Sequence, residues 1–291
     1  MEKKEWIKAL KLSLELYKGN VKLFADVLNE SKINKEKMMP FMKDTIKKYV
    51  ETLSTKSINE LSKEKEIETH IITTLDFLIS IECFEYLFIE IKEIYEKLEL
   101  KSMFISSLEP FILKNRIKFV PNEFFREIAN FFKSKKKIKI IELLIINLDI
   151  DSLDPEFIIS LCLEFHLYKA LIYICNRLDN DFITPLVKLF MVYKEKLETQ
   201  EKDAKEFGYN CLWYIKISLQ GIIFPNDHMT MDVYQTVVKN LIVWVFIEEN
   251  IKVLIDLDVD AFFPVIFLFF SQKSNDVLKE CNDSLVIILI N

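Results

Sequence analysis

Apolar side chains return every three or four positions along nearly the whole chain, the spacing of helices with one buried face. The clearest case lies near the middle. Phe157, Ile158, Leu161, Cys162 and Phe165 form one stripe, and Leu167, Ala170, Leu171, Ile174 and Leu178 repeat it after a very short turn. Ala170 is small enough to let the two helices approach closely. Asp154 followed by Pro155 predicts a side-chain cap with proline in the first helical position. Thr184 and Pro185 repeat that device and predict a third helix. Upstream, residues 138–148 are apolar on nearly every face, as expected of a helix covered on both sides.

The same periodicity predicts helices over residues 6–17, 21–28, 35–53, 67–79 and 84–98, with Gly19 as the stop of the first. Residues 54–66 are polar and predict a mobile connection. Further on, the pattern predicts helices over 203–219, 232–249 and 261–270, with a turn at 221–226. The final Ser-Leu-Val-Ile-Ile-Leu-Ile-Asn has no polar closing repeat, so the segment after Asn275 is expected to pack on another chain or on further sequence. Hairpins recurring roughly every 25–40 residues predict an all-α fold, an α-solenoid of stacked helical hairpins of HEAT or clathrin-heavy-chain-repeat type. The expected organisation is one solenoid over 1–291, with an N-terminal sub-bundle over 1–60 and the best-defined core over 104–190.

Composition sharpens this picture. Only 3 glycines occur in 291 residues, where ordinary usage gives about twenty. Folds built on tight β-hairpins or phosphate-cradling loops are therefore disfavoured. Enrichment in Lys, Ile, Asn and Phe reads as the mark of an AT-rich genome. With 39 basic and 45 acidic residues interspersed, the net charge is −6, which gives no broad attraction to nucleic acid. The 5 cysteines (Cys83, Cys162, Cys175, Cys211 and Cys281) are an odd number in apolar surroundings and read as reduced, packed thiols of a cytosolic protein. No apolar run is long enough for a secretory signal or a membrane span, and 262–270, interrupted by Pro264, reads as a core helix.

Several ordered phrases carry a resemblance. Asp151, Ser152, Leu153 and Asp154 are followed by Cys162. Leu167, Tyr168, Ala170, Leu171, Ile172 and Tyr173 come next, then Asn176 and Arg177, then Asp181, Phe182, Thr184, Pro185 and Leu186. Together with residues 108–124 ahead of them, these resemble the helical core of the vacuolar protein sorting-associated protein 8 family, a subunit of the CORVET endosomal tethering complex. The close resemblance covers about a third of the chain. His166 stands where the family pattern has glycine, a change that costs little if the turn is not left-handed. The family's N-terminal β-propeller has no counterpart here. No CxxC pair marks its RING, so contacts made by those parts do not carry over.

The resemblance implies a non-catalytic scaffold, peripheral on endosomal membranes and cytoplasmic. It further implies class C tethering subunits as partners and, through the wider complex, an endosomal Rab GTPase. No nucleic acid and no cofactor are expected. Two other classes stay open: a helical-repeat scaffold of another trafficking or nuclear-pore complex, and an all-α enzyme with a metal or lipid pocket.

Candidate chemistry is sparse. Asp256, Asp258 and Asp260 alternate like a calcium loop, but Ala261 and Phe267 occupy the positions that need glycine and glutamate. A helix-end cluster fits better, and Asp149, Asp151 and Asp154 read as capping residues. Cys162 and His166 lie four apart with Cys175 on the next helix, yet no fourth ligand is evident, so a packed thiol is the plainer account. Lys133, Lys135, Lys136, Lys137 and Lys139 form the densest positive run, a solvated turn able to meet an acidic partner or anionic lipid. Tyr173, Asn176 and Arg177, three and four apart, share a helix face beside Tyr168. They read either as bonds between neighbouring helices or as part of a docking surface.

Overall fold

The computed structural model describes residues 3–19, 35–53 and 64–271. The expected helix over 21–28, most of the polar connection, the segment after Asn275 and Cys281 lie outside the described residues. Within them the chain forms fourteen helices and one two-stranded hairpin. It divides into two compact units, Met1–Leu153 and Asp154–Asn291.

The first unit holds α1 (Lys3–Lys18), α2 (Lys35–Glu51), α3 (Glu64–Ser80), α4 (residues 84–97), α5 (Lys101–Leu113), α6 (Asn122–Ser134) and α7 (Ile138–Asn147). Gly19 closes α1 at φ +73°, as its position predicted. The middle turn of α4, Leu87–Ile91, is a π-helical turn that carries Leu87, Phe88 and Ile91 into the core. Helices α3, α4, α6 and α7 all pack on α5, whose Phe104, Leu108 and Ile112 are almost fully enclosed. Helix α7 keeps an open side, contrary to expectation: Ile141, Leu144 and Ile145 are buried, but Leu143 is 47% exposed.

The core of this unit contains one polar cluster that the periodicity did not reveal. His70 and Thr74 on α3 are buried with Tyr49 and Tyr95. The imidazole Nε2 lies 3.1 Å from the Tyr49 carbonyl, which can only accept, so that nitrogen carries the proton. Nδ1 is then the acceptor for the Tyr95 hydroxyl at 3.3 Å, and Thr74 Oγ1 lies 3.0 Å from the same hydroxyl. Burial holds the Tyr95 phenol far above its ordinary pKa.

The second unit holds α8 (Pro155–Phe165), α9 (Tyr168–Leu178), α10 (Thr184–Glu198) and α11 (Ala204–Leu219). A hairpin, β1 (Ile222–Ile223) and β2 (Asp227–His228), precedes α12 (Met231–Val245), α13 (Glu248–Leu257) and α14 (Val259–Ser271). The Asp154 side chain accepts the Phe157 amide at 3.4 Å and Pro155 opens α8, as predicted. Ala170 is buried where α8 and α9 meet. Ala170 to Asn176 are seven consecutive buried residues, so α9 is enclosed on every side, with α8, α10 and β1 packed against it. Leu178, read as the last member of its stripe, is instead 38% exposed at the helix end.

Helix α11 occupies the middle of this unit, touching α10, α12, α13 and α14. Gly208 makes that possible, because a Cβ there would stand 2.7 Å from Leu257 Cδ2 and 3.0 Å from Tyr193 Cζ.

Three local readings change in this unit. Thr184 is not the cap of α10: its own amide and that of Ile183 donate to Asp181 Oδ1, at 2.9 and 3.0 Å. The single helix expected over 232–249 ends at Val245, and a separate α13 begins at Glu248. Helix α14 buries Phe262, Val265, Ile266 and Phe269, yet leaves Phe263 and Phe267 in solvent on one face, so it is amphipathic rather than wholly internal.

The turns also differ from expectation. Seven non-glycine residues adopt left-handed φ: Glu82, Glu99, Asn115, Lys136, His166, Asn180 and Gln200. They follow helix ends in the position where glycine is usual. The reverse bonds that close such ends are present, as in Leu100 N to Tyr95 O at 2.9 Å and Leu167 N to Cys162 O at 2.9 Å. Scarcity of glycine therefore does not mean that the connections avoid positive φ. His166, at φ 57° and ψ 42°, is itself left-handed, so its replacement of glycine carries a conformational cost.

Candidate interaction surfaces

Lys135, Lys136 and Lys137 connect α6 to α7 and are exposed, with Lys136 at φ 57° forming the corner. Lys135 Nζ lies 5.9 Å from the centre of the Phe131 ring. These cations sit on a solvated turn in the first unit.

The other candidate residues belong to α9. Tyr168 is half-buried at its start, with its hydroxyl 2.9 Å from His166 Nδ1. Its ring meets Phe207 of α11 edge-on, centroids 5.6 Å apart. Burial raises its phenol to about 12. Tyr173 is buried, and the Arg177 guanidinium covers its ring at 4.9 Å. Arg177 also pairs with Asp227 on β2, so this cation ties the helix to the hairpin.

Asn176 is wholly enclosed. Its amide lies 2.7 Å from the Tyr214 hydroxyl. Turned so that nitrogen faces the carbonyls, it reaches Asp181 O at 3.1 Å and Ile172 O at 3.3 Å, which satisfies a buried amide. The structure thus brings Tyr173, Asn176 and Arg177 together within the second unit. It leaves only Tyr168 and Arg177 partly open to solvent.

Asp258 caps α14 by accepting the Ala261 amide at 3.0 Å, and accepts the Tyr209 hydroxyl at 2.8 Å. The Asp256, Asp258 and Asp260 triplet is accordingly a helix-end cluster. Cys162 is buried while His166 is exposed, so the two do not converge. Among the described residues, no group of three or more His, Cys, Asp or Glu is placed to hold a metal ion. No described helix is long and apolar enough to cross a membrane.

Periodicity could not reveal one feature. An open cavity of about 420 Å³ lies between the loop at 179–183 and the outer face of α12. Its lining comes from two segments some fifty positions apart, so no local motif announces it.

Hairpins capped in this way and packed through small residues define an all-α helical-repeat protein. Residues 103–275 match the family described as Vps8 central TPR, and the chain belongs to the Vps8 family. The match extends well beyond the phrases at 104–190 that carry the resemblance. Among curated relatives, the vacuolar protein sorting-associated protein 8 homolog of Homo sapiens is 27% identical over 292 residues, covering 92% of this chain and 20% of the relative. The homolog of Mus musculus is 30% identical over 204 residues, covering 63% of this chain and 14% of its own length. Vacuolar protein sorting-associated protein 8 of Saccharomyces cerevisiae is 38% identical over 65 residues, which are 22% of this chain and 5% of that protein. The chain spans about a fifth of the human relative's length. No solved structure matches it.

Proposed function

We propose that this chain acts in vacuolar protein sorting as a non-catalytic scaffold segment of an endosomal vesicle-tethering complex. The observation that carries this reading is the Vps8 family match over 103–275, of which the described residues, 103–271, fold as packed helical hairpins. The described residues offer helical surfaces, and on protein interfaces a few aromatic or arginine anchors typically dominate binding. In this reading the partners are class C tethering subunits and, through the wider complex, an endosomal Rab GTPase. The location is cytoplasmic and peripheral on endosomal membranes. Lys135, Lys136 and Lys137, with the open edges of Tyr168 and Arg177, face partners. Tyr173 and Asn176 act from beneath, holding Arg177 and the end of α9 in place.

Purification of the tagged native protein from its own cells tests this. Class C subunits should co-purify in near-stoichiometric amounts, and the tagged protein should mark endosomes under the microscope. Recovery of a folded protein without those subunits, away from endosomes, would overturn the proposal.

A further inference from the structure

The cavity beside α12 combines features suited to one kind of side chain. Phe182 and Val237, both buried, line it together with Ile183 and Val233. Asp179 and Asp232 stand exposed at its margin, with Asp181 between loop and helix. No lysine or arginine lines it. Asp181 is fixed by the two amides it caps, and Asp179 and Asp232 make no ion pair among the described residues. Arg177, one turn away, is committed to Asp227 and Tyr173. The negative potential extends inward. The Cys175 thiol is raised from 9.0 to about 11, chiefly by burial and further by the Asp181 and Asp179 carboxylates.

We infer that this groove receives a lysine- or arginine-bearing segment of a partner protein. Long cationic side chains lay an aliphatic stem on apolar surface and keep the charged head in a polar rim, and charge-assisted bonds to carboxylates are the strong ones. A lining that combines apolar side chains with three carboxylates and no lysine or arginine is complementary to that chemistry. A bare metal ion fits poorly, since among the described residues no three acidic, histidine or cysteine side chains converge on one point. The volume lies in the range that takes a few side chains of a peptide, not a domain. The inference stands on the groove alone and does not depend on which complex the chain joins.

The test uses the full chain and a fluorescein-labelled octapeptide of alternating arginine and leucine, followed by fluorescence anisotropy. Saturable binding is expected, weakened at least tenfold in an Asp179→Asn/Asp232→Asn double variant and lost on Asp232→Lys. An Asp151→Asn variant, altered at an exposed carboxylate of the other unit, should bind as the parent does. The peptide with glutamate in place of arginine should not bind. The two substituted carboxylates are exposed, so thermal melting should be nearly unchanged in the double variant. Equal affinity in parent and double variant, or equal binding of the glutamate peptide, would overturn the inference. So would self-association in sedimentation that the double variant abolishes, because a second copy would then be the occupant.

Discussion

His70 lies flat against the ring of Tyr49, with centroids 4.0 Å apart and planes 10° from parallel. Stacking and two hydrogen bonds fix a neutral imidazole in the core of the first unit. Replacing it by alanine leaves a cavity and removes one bond each from the Tyr49 carbonyl, which keeps Thr52, and the Tyr95 hydroxyl, which keeps Thr74. His70→Ala should lose about 3 kcal/mol or more, and Tyr95→Phe about 1–2 kcal/mol. Urea unfolding followed by circular dichroism measures both, and a loss below about 0.5 kcal/mol for His70→Ala would refute the account.

Gly208 gives a packing prediction with a built-in control. Alanine would gain about 1 kcal/mol of helix preference. Against that, its Cβ would press on Leu257 at 2.7 and 2.9 Å and on the Tyr193 ring at 3.0 Å. Gly208→Ala should therefore be destabilising by about 1 kcal/mol overall. Leu257→Ala should cost less in that background than in the parent, with a coupling of about 1 kcal/mol in a double-mutant cycle. Simple additivity would show that the close approach carries no strain.

His166 makes opposite forecasts for two substitutions. Glycine adopts φ 57° freely, whereas a β-branched residue resists it. His166→Gly should raise the melting temperature despite losing the bond to Tyr168, with a gain of about 0.5–1 kcal/mol. His166→Val should lower it. A melting temperature reduced equally by both would mean that the His166–Tyr168 pair outweighs backbone strain.

Alkali should weaken the fold. Cys175 is raised to about 11 and Tyr86 and Tyr168 to about 12, each chiefly by burial. These groups stay protonated in the folded chain while the unfolded chain releases protons above its ordinary thiol and phenol values. Stability is therefore fully present below pH 9 and falls as pH climbs toward the folded values. Between pH 9 and 10.5 the thiol is the first of the three to contribute, by about 1 kcal/mol once solvent screening is allowed for. Urea midpoints across that range measure the slope, which Cys175→Ala should flatten; a midpoint level up to pH 11 would contradict it.

Much of the fold was legible because local chemistry and tertiary burial agree. Asp154 with Pro155, the stripe at Ile158, Leu161 and Cys162, and Gly19 after α1 each announce their role within a few positions. The break between Val245 and Glu248 carries neither glycine nor proline. Val245 and Ile251 on either side of it are both in the core, and the Asn250 amide donates to the Trp244 carbonyl across it at 2.8 Å. Leu143 and Leu178 show the converse: periodicity assigns a face but does not say whether a neighbour covers it. The tyrosine, asparagine and arginine of α9 could be grouped by spacing alone. Their partners Asp227 and Tyr214 come from elements that no local pattern links to α9. The acidic groove was invisible for the same reason, since its two walls meet only after folding.

The seven left-handed helix ends bear on how the molecule comes together. The reverse bonds that close such a corner are few, and most L-residues pay about 1 kcal/mol to turn it. A nascent helix leaving the ribosome therefore has little inducement to reverse direction until the next helix arrives to dock. An isolated fragment ending at such a corner, without the contacts that offset its cost, should therefore be a poor autonomous folder.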